Sequence, residues 1–338
     1  MSRRDIGTDD HRVRVRPGKG SRPRTKIRPD YSQAARARVY RVDRGRYHVT
    51  LEDGTKVTAV KAKELARGAI VVGDIVALTG DLSGRKDTLA RIVQVDPRKT
   101  ALRRTAEESE AAGTERVIVA NADQLVIVMA LAQPEPRPGM IDRCLVAAYD
   151  ADMHPILLLT KSDLASPQAL LDLYADLDLD IYTSTIDEKR ETSDVGEIAA
   201  ALEGHVSVLV GHSGVGKSTL INALVPSAER ETGHVNEVTG RGRHTSTSAM
   251  AFGLEGGGVV IDTPGVRTFG LAHVEAEDLL RGFPDLREAA EDCPRGCPHE
   301  PGALECALEE VEGERLMARV ESFHRLLDSR QKMDPHWA

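Results

Sequence analysis

The sequence predicts an α/β protein with three parts: an N-terminal β-barrel of the OB type, a mostly parallel sheet covered by helices, and a helical C-terminal region. Five short β-branched runs follow one another between residues 35 and 98. Strand-like and helix-like runs alternate between residues 114 and 273, as in a parallel sheet with helices on both faces. Residues 274–330 are acidic and helix-patterned, and three of the four cysteines lie there.

The two ends of the chain are predicted to be tails: residues 1–34, which are basic and disordered, and residues 331–338. Residues 1–46 contain 15 Lys and Arg against 5 Asp and Glu, a charge of +10. Since the net charge of the whole chain is −8, the remaining residues carry −18. A basic arm on an acidic body indicates a polyanionic partner. A tail that only aids solubility is an equally good interpretation.

The apolar runs are too short for a membrane helix, which needs about 18 residues. The N-terminus also lacks the apolar core of a secretory signal. We therefore expect a cytoplasmic monomer with no membrane partner and with reduced thiols. Cys144 stands alone in a helical pattern and is expected in the core.

Five predicted strands make up the barrel, with Gly and Asp in the turns between them: ARVYRVD, YHVTL, KVTAV, IVVGDIVAL and ARIVQV. OB barrels commonly bind oligonucleotides, but small barrels also serve as spacers or protein docks. Aromatic residues form only 3% of the chain, which argues against a broad base-stacking surface. Residues 99–113 are interpreted as a linker.

A phosphate-binding loop is predicted between the strand run HVSVLV and the helix run LINALV, where the chain matches G-x-x-x-x-G-K-[ST]. Glycines let backbone N–H groups turn toward phosphates, and the helix N-terminus adds partial positive charge. Lys217 is expected to bridge the β- and γ-phosphates and Ser218 to bind Mg²⁺. The predicted phosphate-binding residues are Gly211, His212, Ser213, Gly214, Val215, Gly216, Lys217, Ser218 and Thr219.

The sequence DTPG follows a further strand run some 44 residues after the phosphate loop. Asp262 is predicted to hold the magnesium shell, and Gly265 to offer its N–H to the γ-phosphate. DTPG alone marks ordinary turns, but at this distance from a phosphate loop it indicates a nucleotide switch.

The tetrapeptide TKSD follows the strand run PILLL and predicts guanine specificity. The Asp163 carboxylate can accept both the N1–H and the N2–H₂ of guanine, whereas adenine offers neither donor there. Lys161 would lie along the base. With the phosphate loop and DTPG, this segment predicts a GTPase that reads guanine through Thr160, Lys161, Ser162 and Asp163. Ser184 is a further candidate for binding GTP.

The guanine segment precedes the phosphate loop along the chain, which is the reverse of the usual order in nucleotide switches. A chain can be circularly permuted without changing the fold when its original termini lie close together. The sequence therefore predicts a circularly permuted GTPase domain over residues 114–273. DTPG then leads directly into the C-terminal region, so hydrolysis would act directly on that region.

At these motifs the chain resembles the RsgA (YjeQ) family of circularly permuted GTPases that act on the small ribosomal subunit. The resemblance covers about residues 35–330 and includes ANADQLVIVMA, GHSGVGKSTLINAL, GRGRHTSTS and DTPGVRTFGL. It implies an OB barrel, the permuted GTPase domain and a zinc-bearing helical domain. It also implies late assembly of the small subunit, with rRNA and other assembly factors as partners and with GTPase activity raised by the subunit.

Hydrolysis needs a residue that orients water, and many GTPases use a Gln directly after DxxG. Val266 occupies that position and cannot do so. The family places a histidine in its switch, and His244 matches that histidine. His244 and Lys217 are therefore the predicted catalytic residues. Thr245 and Thr247 are both candidates for binding Mg²⁺.

The C-terminal cluster Cys293-x₃-Cys297-x-His299-x₆-Cys306 supplies three thiolates and an imidazole, the donor set of a closed structural zinc site. The family usually spaces these residues C-x₄-C-x-H-x₅-C, so the local turns must differ. The predicted cofactors are Mg²⁺ and one structural Zn²⁺.

Two other functions fit parts of the sequence. A GTP-gated RNA or protein clamp with negligible turnover is favoured by Val266 in place of Gln. A P-loop kinase or ATPase would share the phosphate loop, but the TKSD segment argues against it.

Overall fold

A computed structural model of the chain describes residues 30–43, 45–63, 65, 70–105, 115–185, 194–226, 249–263, 269, 271 and 274–329. Among these residues, no helix combines the length and the apolar character that crossing a bilayer would require.

The first five strands form a small closed barrel. Neighbours pair in the order β1-β2-β3-β5-β4, and β1 closes the barrel by pairing antiparallel with β4. Residues alternate along β1, where Ala37 and Val39 point into a separate barrel core. The predicted five-stranded barrel is thus confirmed; its strands are β1 (Ala35–Asp43), β2 (Arg46–Leu51), β3 (Lys56–Lys61), β4 (Ile75–Gly80) and β5 (Ala90–Val95).

A two-stranded ribbon follows the barrel, and its first strand lies within the predicted linker of residues 99–113. Strand β6 (Ala101–Thr105) pairs antiparallel with β7 (Glu115–Ala120). Leu102 is 1% exposed and packs into the large core of the molecule. The run ALRRT holds a single large apolar residue, so its sequence pattern was too weak to predict a strand.

The central sheet continues in the order β10-β9-β8-β11-β13-β12, with every pair parallel except β12 with β13. All seven residues of β8 are buried, because alternate residues enter the cores on the two faces. This is the expected pattern for a parallel strand covered on both sides. The strands are β8 (Gln124–Ala130), β9 (His154–Thr160), β10 (Asp180–Ser184), β11 (Val206–Val210), β12 (Met250–Gly253) and β13 (Val259–Asp262).

Among the residues that the structure describes, two helices cover each face of this sheet. Residues of α1 (Pro138–Asp150) and α2 (Gln168–Tyr174) belong to one core. Residues of α3 (Gly196–Leu202) and α4 (Lys217–Leu224) belong to the other.

The C-terminal region packs onto the α1 face and shares its core. Phe283 contacts Tyr149 of α1 at a ring distance of 6.4 Å and meets Phe323 edge-on at 5.6 Å. One continuous set of buried side chains therefore joins the sheet to this region. Its helices are α5 (Ala276–Leu279), α6 (Pro284–Ala289) and α7 (Glu314–Ser329), with short 3-10 turns between them.

Backbone contacts hold the barrel against the ribbon and the central sheet. Gly73 has a φ of +92°, and a Cβ there would lie 1.9 Å from the Ala120 carbonyl oxygen, so only glycine fits. The Ala120 N–H donates to the Val72 carbonyl at 3.0 Å, and the Asn121 amide donates to the Gly73 carbonyl at 3.1 Å. Strand β1 also pairs with β12 at Arg41.

Candidate nucleotide-binding and metal sites

The sequence motifs lie together at the carboxyl edge of the parallel sheet, where α/β folds bind ligands. Ser184 ends β10, the guanine segment (residues 160–163) follows β9, and the phosphate loop (residues 211–218) follows β11. Asp262 ends β13 on the far side of β11. Only β8 separates β9 from β11, so these two strands are about 10 Å apart. A nucleotide can therefore extend from one motif to the other.

Two glycines shape the phosphate loop. Gly216 caps α4 with a φ of +99°, which is accessible mainly to glycine. A Cβ on Gly211 would lie 2.4 Å from the Val128 carbonyl oxygen, so the loop passes directly over β8. Val215 is fully buried and can offer a ligand only its backbone, whereas Ser213 and Ser218 are exposed.

Lys217 points back into the phosphate loop. Its ammonium group donates to the carbonyls of Gly211 and His212, the latter at 3.0 Å. Burial lowers the pKa of Lys217, and the nearby Asp262 carboxylate opposes that shift. The positive charge is thus placed inside the loop where phosphates are expected to bind.

Asp262 has the environment of a metal-shell carboxylate. Burial raises its pKa, while Lys217 acts in the opposite direction. Among the described residues, no donor reaches its buried Oδ1. A buried oxygen without a partner needs an explanation, and a hydrated Mg²⁺ ion held by Asp262 would supply one. Asp262 therefore fits the predicted magnesium ion.

Thr160 joins the guanine segment to the phosphate loop. Its side chain is fully buried, and its hydroxyl donates to the Val215 carbonyl at 2.6 Å. Thr160 therefore holds the two segments together and is not available to a ligand. Asp163 is exposed at the end of the segment, as a guanine-binding carboxylate must be.

Ser184 is also buried, and its hydroxyl donates to the Asp194 carbonyl at 2.9 Å. Its own carbonyl accepts from the Ser162 N–H at 3.3 Å. Ser184 consequently supports the guanine segment through its backbone, and its hydroxyl is occupied.

The loop after β8 (residues 131–137) belongs to the site but has no recognisable motif. The Lys161 ammonium donates to the Gln133 carbonyl, and both residues have positive φ angles, of 58° and 48°. Such backbone conformations in residues other than glycine cluster at functional sites. The only signal in the sequence was the position of this loop, after the strand that lies between the two motif strands.

Four predicted residues lie outside the described residues: His244, Thr245, Thr247 and Gly265. Their roles in hydrolysis and magnesium binding therefore stay predictions.

The C-terminal cluster brings all four predicted zinc ligands together, with their donor atoms within 4.8 Å of one another. The Cys293 sulfur lies 3.9 Å from that of Cys306 and 3.6 Å from His299 Nδ1, and Cys306 lies 3.7 Å from His299 Nδ1. Sulfurs bound tetrahedrally to one zinc ion are about 3.8 Å apart, so the spacing fits the metal. The Ala307 N–H also donates to the Cys293 sulfur at 3.2 Å.

Comparison with known proteins gives one family. A profile described as RsgA GTPase matches residues 95–272. Curated relatives named small ribosomal subunit biogenesis GTPase RsgA are 39% identical. The protein from Pseudomonas aeruginosa matches over 277 residues, 79% of this chain and 77% of its own length. The protein from Azotobacter vinelandii matches over 272 residues, which are 77% of this chain and 75% of its own length.

Two solved structures share the fold. YloQ, described as a circularly permuted GTPase, has a TM-score of 0.61 at 24% identity and covers 90% of this chain and 98% of its own. YjeQ from Thermotoga maritima has a TM-score of 0.59 at 26% identity. The match covers 87% of this chain and 98% of the YjeQ chain. Both likenesses support the permuted order of the sheet.

Proposed function

The chain belongs to the RsgA GTPase family, and from that premise we propose that it hydrolyses GTP during maturation of the small ribosomal subunit. The observation that carries the proposal is the bond from the Thr160 hydroxyl to the Val215 carbonyl. It supports the proposal because it joins the segment predicted to bind guanine to the predicted phosphate loop, although about 50 residues separate them along the chain. Such a pair of segments binds one guanine nucleotide.

In this proposal each segment has a separate role. Asp163 accepts the guanine N1–H and N2–H₂, and Lys161 lies along the base. Backbone N–H groups of the phosphate loop and Lys217 bind the phosphates. Ser218 and Asp262 would hold a Mg²⁺ ion, which would supply positive charge opposite the phosphates.

Hydrolysis is proposed to depend on His244, because Val266 cannot orient water. An imidazole can hold the attacking water by hydrogen bonds. We propose that turnover is slow in the free protein and that the small subunit orders the switch. Effects of this kind reach about 10³–10⁵ in rate.

The remaining parts are proposed to serve docking in the cytoplasm. The barrel and the basic tail would contact rRNA, and the zinc ion would hold the turns of the C-terminal region. Zinc here is structural, because three thiolates and one imidazole leave no ligand position open for water.

The direct test is a GTPase assay with and without purified small ribosomal subunits, together with sedimentation in GDP and in a non-hydrolysable GTP analogue. We expect stimulated turnover and binding to the small subunit in the GTP-like state only. Salt should be varied as well, because contacts to phosphate weaken steeply with it.

The same assay separates a second candidate function, a GTP-gated clamp with negligible turnover. Val266 favours this alternative. Nucleotide-dependent binding to the subunit without any stimulated hydrolysis would support the clamp and contradict the enzyme.

A further inference from the structure

We infer that a buried polar cluster anchored on the C-terminal helix positions Lys161 and thereby sets the affinity for guanine nucleotides. The cluster consists of Asp142 on α1, Tyr174 on α2 and Arg325 on α7. This inference rests on the proposed function, since it assigns Lys161 to the guanine base. None of the three residues belongs to a motif of the nucleotide site.

The cluster is tightly connected. The Tyr174 hydroxyl lies 3.0 Å from Asp142 Oδ1 and 3.1 Å from the Pro138 carbonyl oxygen. Arg325 Nε lies 3.3 Å from Asp142 Oδ2, and its guanidinium lies 5.3 Å from the centre of the Tyr174 ring. Asp142 and Tyr174 are only 4% and 1% exposed. Three helices from two regions of the chain therefore meet at one carboxylate.

Stability alone does not explain a buried ion pair at this place. Replacing such a pair by apolar side chains of similar volume is often neutral or stabilising. Burial raises the pKa of Asp142, and Arg325 and Tyr174 only partly oppose this shift. Among the described residues, no hydrogen bond satisfies Arg325 Nε or Nη2, so Arg325 meets Asp142 as an ion pair. The Tyr174 hydroxyl, which contacts both Asp142 and the Pro138 carbonyl, instead joins the end of α2 to the start of α1.

Both segments held by the cluster lead to Lys161. Pro138 begins α1 and directly follows the loop of residues 131–137, whose Gln133 carbonyl accepts the Lys161 ammonium. Tyr174 ends α2, the helix that follows the guanine segment. The hydroxyl of Tyr174 thus fixes the distance between these two segments. Lys161 lies where they meet, and its orientation depends on that distance.

A second arginine of α7 reinforces the same attachment. The Arg319 guanidinium lies 2.7 Å from a carboxylate oxygen of Asp285 and 3.5 Å from Asp178, and it donates to the Asp176 carbonyl. Asp176 and Asp178 follow α2 directly. Helix α7 is therefore attached to the end of α2 at two successive points.

The test compares Tyr174→Phe and Arg325→Met with the matched control Arg315→Met, an exposed residue near the start of α7. Calorimetry measures the Kd for GDP, steady-state kinetics give KM and kcat for GTP, and thermal melting checks the fold. We expect the Kd and KM to rise about tenfold in both test variants, which corresponds to about 1.4 kcal/mol. The kcat should stay constant, and the control should change none of these values. Arg325→Met decides the matter should Tyr174→Phe not fold.

A double-mutant cycle with Lys161→Ala tests whether the cluster acts through that lysine. We expect Tyr174→Phe to have no further effect on the Kd once Lys161 is absent. A folded Tyr174→Phe protein with the native Kd for GDP would overturn the inference, as would an equal loss in the Lys161→Ala background. Failure of the unmodified protein to bind GDP would instead contradict the proposed function itself.

Discussion

Single residues of the site differ in whether the structure or only the sequence supports their role. The carboxylate of Asp262 lies buried beside Lys217 with an oxygen that no described donor reaches. His244 rests on a sequence match alone. Each role makes a separate prediction at the residue scale.

Asp262→Asn should abolish most hydrolysis without lowering stability. Burial raises the pKa of Asp262, so its ionised form opposes folding increasingly as pH rises from the usual carboxyl pKa through the raised one. At pH 7 and without Mg²⁺, the melting temperature of the variant should therefore be no lower than that of the native protein. Any increase in melting temperature over the native protein should become smaller as pH falls. Hydrolysis should drop about 10²-fold or more with loss of the metal ligand. A clear fall in melting temperature would contradict this account.

As the matched stability control, Thr263→Val removes a hydroxyl that donates to the Leu209 carbonyl at 2.6 Å. This variant should lose about 1–3 kcal/mol of unfolding free energy, because a buried carbonyl loses its partner. The pair distinguishes a residue retained for function from its neighbour, which is retained for folding.

His244→Ala should reduce the subunit-stimulated rate about 10²-fold or more while GTP binding is unchanged. Stimulated turnover with saturating small subunits is the measurement, and Ser248→Ala in the same segment is the control. Native turnover in the His244 variant would remove this residue from the mechanism.

At the scale of elements, the junction between the barrel and the β6–β7 ribbon depends on close backbone contact. Gly73 and Gly54 both have positive φ angles, of 92° and 85°, but only Gly73 lies against another segment. A substitution at Gly54 meets no atom within 4 Å. Substitution at Gly54 therefore tests the effect of backbone strain alone, whereas substitution at Gly73 tests strain and close packing together.

Gly73→Ala should destabilise the protein more than Gly54→Ala. The control should cost about 1 kcal/mol through φ alone, and the test variant about 1–3 kcal/mol more through the clash with Ala120. Chemical denaturation measures both values. Equal losses would show that the barrel is not packed against Ala120 as described.

Elements were predictable from sequence where a period or a motif was present. The barrel, the parallel strands and the zinc ligands all carried such patterns. Strand β6 did not, because ALRRT offers one large apolar side chain and is stabilised by pairing with β7. The loop of residues 131–137 was missed for a related reason: its contribution is a backbone carbonyl, and carbonyls have no sequence signature.

For the molecule as a whole, the shared core changes the interpretation of the C-terminal region. The order of motifs suggested that hydrolysis acts directly on a separate module. Phe283 and Phe323 instead belong to the same buried set as α1 and β8. Free movement between domains is expected only where the interface is small or polar, so movement of this region has to involve α1 as well.

Zinc removal should therefore destabilise the central sheet as well as the turns that contain the cysteines. We expect one zinc ion per chain by metal analysis, and chelation should lower the melting temperature of the sheet by about 5 °C or more. The barrel has its own core and should be less affected. Readdition of zinc is the control, and an unchanged melting curve after complete metal loss would contradict the shared core.

The order of the strands also determines how the protein can form during its own synthesis. The centre of the sheet, β8, emerges first, and β9, β10 and β11 can each add to an edge that already exists. Strand β12 pairs with β1, and β13 lies between β11 and β12. This last strand carries Asp262, so a growing chain completes the carboxyl edge of the sheet only when β13 pairs with β11.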